Sequence, residues 1–160
     1  MTLMHKKALG ISLFVFLLDR VSKIWILDVY NLPSLGSVEV LPFFSLTMVW
    51  NYGISMGFFQ ADGDAGRIVI TVLTAIITLV LLRWLFKESK TLVGYGLALV
   101  IGGAIGNIWD RVQFGAVADF LHFHISNISF YVFNVADSAI TLGVVFLLWD
   151  ALLSPQKTSK

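Results

Sequence analysis

Two carboxylates stand where charge is hard to keep. Asp119 lies in G-A-V-A-D-F (115–120) and Asp137 in F-N-V-A-D-S (133–138), both among Val, Phe, Ile and Leu side chains. An isolated charge in such surroundings costs several kcal/mol, so these acids must be paired, protonated or functional. Asn134 stands three residues before Asp137, a spacing that puts both on one face of a helix's first turn. Two carboxylates in one low-dielectric site cannot both ionise easily, so one pKa rises and the pair shares a proton. The ionised member can activate a water as general base. The protonated member can donate to a carbonyl oxygen and later to a leaving amine. That is the chemistry of an aspartic peptidase, and it needs neither thiol nor metal.

The elements that must position these acids are membrane elements. The 160 residues are about one domain in length. They are 58% hydrophobic and 13% charged, against roughly 45–50% and 25% for soluble proteins, and this points to a membrane protein. A net charge of +1 and the lack of a basic, aromatic-interleaved patch argue against a nucleic-acid partner. With no cysteine, disulfides, thiol nucleophiles and Cys-ligated zinc are excluded.

The pattern predicts a single all-α membrane domain over 1–160, with four transmembrane helices at about 8–27, 66–86, 92–109 and 134–153. Lys6 and Lys7 before an apolar run resemble the start of a signal peptide, but no small-residue cleavage site follows, so the run reads as a retained helix. Asp19 and Lys23 are four apart with the acid first, the favourable helical pairing. The segment 28–65 contains V-E-V-L-P-F-F-S-L-T-M-V-W, and its β-branched and aromatic residues, with Pro42, Asn51, Gly53 and Gly57, predict short surface strands rather than a fifth span. The cluster G-G-A-I-G-N in the third span suits close helix approach. In the segment 110–133, Leu121, Phe123 and Ile125 alternate with His122, His124 and Ser126, as in a half-buried strand.

Orientation follows from the cations. Lys6, Lys7, Arg83, Lys87, Lys90, Lys157 and Lys160 fall at the two termini and the connector after the second span, which four spans place together in the cytoplasm. Asp19, Lys23, Asn51, Asn107, Asp110, Arg111, Asp119, Asn134 and Asp137 then share one depth, near the extracytoplasmic surface. Two other functions draw on some of these residues. His122 and His124, on one face of a strand, could bind a metal with Asp119 as a membrane hydrolase. A small proton-coupled transporter would need polar residues through the full membrane depth, whereas the second span is apolar throughout.

Five pieces in order resemble the bacterial lipoprotein signal peptidases (signal peptidase II). They are D-R-V-S-K at 19–23, N-Y-G at 51–53, G-G-A-I-G-N-I-W-D-R at 102–111, G-A-V-A-D-F at 115–120 and F-N-V-A-D-S at 133–138. The resemblance covers essentially the whole chain. It implies a four-helix peptidase with a small extracytoplasmic β-cradle, in a bacterial cytoplasmic membrane, working as a monomer without a cofactor. Its substrates would be prolipoproteins carrying a diacylglyceryl cysteine, cut just before that cysteine, and the depsipeptide globomycin would occupy the same site. By the family pattern Asp119 and Asp137 are the catalytic dyad. Asn51, Gly53, Asn107, Arg111 and Asn134 match positions that hold substrate or support the dyad, and Asp19, Lys23 and Asp110 match supporting polar positions. Two departures bear on the substrate groove: Ile54-Ser55-Met56 replaces two small residues and an aromatic, and Tyr131-Val132 stands where a proline is common.

Overall fold

A computed structural model describes residues 1–53, 63–125 and 128–153. The long helices are α1 (Leu3–Ile24), α3 (Gly63–Lys87), α4 (Thr91–Phe114) and α5 (Val135–Leu153). α1 runs on into a π-helical turn, Trp25–Val29, and the chain then reverses through Asn31, in the left-handed region at φ 53, into the short α2 (Leu32–Leu35). Neither the π turn nor α2 was expected. They carry Ile26 and Leu32 into an apolar cluster with Phe120, beneath the sheet.

Among the described residues three helices, spanning Ala65–Lys87, Thr91–Phe114 and Val135–Leu153, are long and apolar enough to cross a membrane. α1 has the length, but Asp19, Arg20 and Lys23 add to Lys6 and Lys7, so its composition alone does not mark it as a span. Asp19 and Lys23 do not face outward: they are 0% and 1% exposed, turned into the bundle. The predicted third span ends too early, because α4 continues to Phe114. Asp110, expected at the interface, is fully buried.

α4 is the central helix. Of its most apolar stretch 67% is buried, against 17% for α3 and 11% for α5, whose remaining surfaces are the apolar exterior. Small residues let its neighbours approach. A Cβ at Gly102 would lie 2.6 Å from the Ser12 carbonyl oxygen of α1, and one at Gly103 would collide with the Ala136 carbonyl oxygen of α5. Ser12 Oγ also donates to the Ala98 carbonyl at 2.8 Å, a bond between helices that needs no hydrophobic drive. α3 leans mainly on α4, which leaves a gap between α3 and α5.

The predicted strands are present. β1 (Ser37–Leu41), β2 (Phe44–Asn51), β3 (Val117–Ile125) and β4 (Ile128–Ser129) form an antiparallel sheet in that order. Ser45 faces His122 and Leu46 faces Leu121, but Val49 faces Asp119, so β2 carries one extra residue around Thr47 and Met48. This bulge sets Asn51 diagonally across from Asp119 on the same face. Phe133 pairs with Leu121 through two backbone bonds, of 3.0 and 2.8 Å, and so brings the chain entering α5 alongside β3.

Candidate active site

The site is built where β3 meets the start of α5. Asn134 caps α5 through its side chain: Oδ1 accepts the Asp137 N–H at 2.9 Å, and Asp137 Oδ2 accepts the Asn134 N–H at 3.3 Å. This is a capping box with Asp in the acidic position, so the motif F-N-V-A-D-S folds locally into the geometry that presents Asp137. Because the Asn134 oxygen is committed to the helix, its Nδ2 must point the other way. It donates to Asp119 Oδ1 at 2.6 Å and to Asn107 Oδ1 at 3.2 Å.

Asn51 is oriented by the same logic. Its Oδ1 accepts the Gly53 N–H at 3.1 Å, leaving Nδ2 to donate to Asp119 Oδ2 at 3.1 Å. Asn107 accepts from Lys23 Nζ at 3.3 Å, so its own Nδ2 donates to Asp137 Oδ1 at 2.8 Å. Each acid therefore receives two N–H donors, and three amides from β2, α4 and the α5 cap link them. Among the described residues the donors to both acids are neutral amides and one backbone N–H, with no cation bonded to either.

Asp119 is 2% exposed. Burial first, and then the charge of Asp137, push its carboxyl up to about 7, against the opposing pull of the Asn51 and Asn134 donors. Near neutral pH it is poised between protonated and ionised. Asp137 is more open and lines a cavity of about 440 Å³ between α3, α4 and α5, with Asn107 and Arg111 beside it and Leu73, Ile77 and Ile140 along the walls. Arg111 is held by the carbonyls of Asn107, at 3.3 Å, and Gly53, at 3.0 Å. Its guanidinium ties α4 to the loop after β2.

Asp19, Lys23 and Asp110 form a neighbouring cluster. Lys23 Nζ lies 2.9 Å from Asp19 and 2.7 Å from Asp110. Arg20 completes it, contacting Asp110 directly and Asp19 at 3.5 Å. Arg20 was missed as a site residue. The available signal was its position inside an apolar helix, next to an acid and three residues before Lys23.

The proposed metal set does not assemble. By strand alternation His122 and His124 lie on the face opposite Asp119. Their rings are 5.3 Å apart and are bonded instead to hydroxyls: His122 to Thr47 and Ser129, His124 to Ser45. Among the described residues no three His, Asp or Glu side chains come together as a metal would require. Ile54, Ser55 and Met56, the departure noted after Asn51, lie outside the described residues.

Known proteins resemble this chain along most of its length. Residues 11–153 match the family model described as Signal peptidase (SPase) II. A lipoprotein signal peptidase of Nitrobacter hamburgensis is 44% identical over 139 residues, covering 84% of this chain and 85% of that one. One of Rhizorhabdus wittichii is 46% identical over 145 residues, with 90% and 84% covered. A bacterial membrane enzyme solved at 2.3 Å superposes with a TM-score of 0.78 at 30% identity, over 97% of this chain and 95% of the other. With family, relatives and fold in accord along nearly its full length, the chain belongs to the signal peptidase II family, the lipoprotein signal peptidases.

Proposed function

We propose that this membrane peptidase removes the signal peptide from diacylglyceryl-modified prolipoproteins by aspartic catalysis, cutting the bond just before the lipidated cysteine. The observation that carries the reading is the linkage of Asp119 and Asp137 through Asn134 and Asn107, with one acid covered and the other lining a cavity. Asp119, covered by the Asn51 and Asn134 amides and raised to about 7, takes the acid role, and the more open Asp137, which lines the cavity, takes the base role. Asp137 takes a proton from water as its oxygen attacks the scissile carbonyl, while Asp119 protonates the carbonyl oxygen. The resulting diol collapses: one hydroxyl returns its proton to Asp119, and Asp137 passes its proton to the departing cysteine amine.

α1 joins the three apolar helices as a fourth span, because its charges are neutralised inside the bundle. Both termini then lie in the cytoplasm and the dyad at the outer face of the cytoplasmic membrane. The gap between α3 and α5 admits the signal peptide from the lipid phase, with the diacylglyceryl chains remaining in the bilayer. One chain supplies both acids and their amide donors, so the monomer is the working unit.

Cleavage of a diacylglyceryl prolipoprotein by purified variants tests the mechanism. Asp119→Asn and Asp137→Asn should each lose about three or more orders of magnitude in turnover, and the double variant should be little worse than either. A single variant that keeps turnover close to that of the unaltered enzyme would falsify the dyad.

A further inference from the structure

The two acids of the salt-bridge cluster reach past their cations to the backbone. Asp19 Oδ1 accepts the N–H of Ala136 at 3.1 Å, and Asp110 Oδ2 accepts the N–H of Ala118 at 3.2 Å. Ala136 is the residue before Asp137, and Ala118 is the residue before Asp119. Each acid of the dyad is thus preceded by a peptide held by an acid from a different element, α1 for Asp137 and α4 for Asp119. We propose that Asp19 and Asp110 are positioning residues, coupled through Lys23, that set the separation of the two catalytic carboxylates. This rests on the dyad reading above.

The physical case has three parts. First, the N–H of Ala136 lies in the first turn of α5, where no carbonyl of its own helix can accept it. Asn134 caps the Asp137 N–H, so Asp19 serves as a second cap, supplied by α1. Second, Lys23 Nζ bonds both acids and also Asn107, so the two backbone clamps and an amide of the dyad meet at one atom. Third, the arrangement has no slack. Ala118 and Ala136 are fully buried, and a Cβ at Gly106 would lie 2.6 Å from Asp19 Oδ2. A displacement of about 1 Å in a reacting group can lower a rate about a hundredfold, so a clamp one residue from each carboxylate bears on turnover.

The experiment compares two double variants of the full chain, purified in detergent and acting on a diacylglyceryl prolipoprotein. Asp19→Asn/Lys23→Met and Asp19→Ala/Lys23→Met remove the same two charges, but only the first keeps an oxygen to accept the Ala136 N–H. The Asn pair should show a kcat at least about tenfold above that of the Ala pair, with KM values within about twofold of each other. Equal kcat values overturn the proposal, as does a difference confined to KM. If the Ala pair does not fold, Gly106→Ala applies the same displacement with every charge retained, and a kcat equal to that of the unaltered enzyme overturns the proposal. Asp119→Asn and Asp137→Asn are assayed alongside. Turnover in either sinks the dyad reading itself, whereas two inactive dyad variants beside equal Asn and Ala pairs sink only the positioning role.

Discussion

Four buried or partly buried acids lie within one region of this molecule and are treated in two ways. Asp19 and Asp110 are charge-balanced by Arg20 and Lys23, with nitrogens within 2.9 Å of each acid. Asp119 and Asp137 receive only amide and backbone N–H donors among their hydrogen bonds. A cation bound directly to a carboxylate fixes its charge and makes it a structural joint. An amide holds the same carboxylate in place while leaving it free to exchange a proton. On the proposed mechanism the contrast separates framework from chemistry more clearly than burial does, since Asp19, Asp110 and Asp119 are all within 2% of complete burial.

The contrast can be broken most severely from the framework side. Asp110→Leu would leave Arg20 and Lys23 facing Asp19 alone, and breaking a buried charge set in this way costs about 3–5 kcal/mol. The variant should largely fail to accumulate as folded protein, and adding Lys23→Met should restore part of it, as read by gel filtration after mild heating. Normal accumulation of Asp110→Leu would mean that the cluster is not a structural joint.

From the chemical side the expected effect is smaller and depends on pH. The folded-state pKa of Asp119, at about 7, exceeds its ordinary value of 3.8. The stability contributed by its protonated form is therefore complete below pH 3.8 and is lost as pH rises through 7. Asp119→Asn does not titrate. Its thermal stability relative to the unaltered protein should rise by a few kcal/mol between acid and mildly alkaline conditions, and any fixed penalty of the amide cancels in that difference. A difference that stays flat with pH would show that Asp119 is not strained by its charge.

The smallest effect belongs to the opposite face of the sheet. His122→Ala and His124→Ala remove hydroxyl contacts on a partly exposed strand, and each should change activity by less than about threefold, with EDTA having no further effect. A large loss restored by zinc would place chemistry on that face.

Much of this was legible because it is local. Asn134 and Asp137, three apart before an apolar run, state a helix start, and the alternation around His122 and His124 states a strand. The small residues of G-G-A-I-G-N announced a close approach, and Gly102, Gly103 and Gly106 each meet another helix. What escaped is tertiary. Arg20 meets Asp110 across 90 positions, and a sequence reading that stops at four-residue spacings pairs Asp19 with Lys23 and goes no further. The bulge in β2 depends on how β3 is met, and the π turn after α1 on how Ile26 and Leu32 reach Phe120. Neither leaves a signal of its own in the residues that form it.

The seam between α4 and α5 has a mechanical consequence. A Cβ at Gly143 would lie 2.6 Å from the Gly96 carbonyl oxygen, as one at Gly103 would meet the Ala136 carbonyl. Gly96 and Gly103 are one heptad apart on α4, as Ala136 and Gly143 are on α5, so the two helices are latched at two points along their length. Sliding one helix by a single residue would travel about 1.5 Å and would unseat both latches together. Bilayers differ in thickness, and spans answer by tilting, stretching or sliding. Here sliding is barred for the helix that carries Asp137. The thickness of the surrounding membrane is then taken up by tilt of the latched unit or by α3, and Asp137 keeps its place against α4 in bilayers of different thickness.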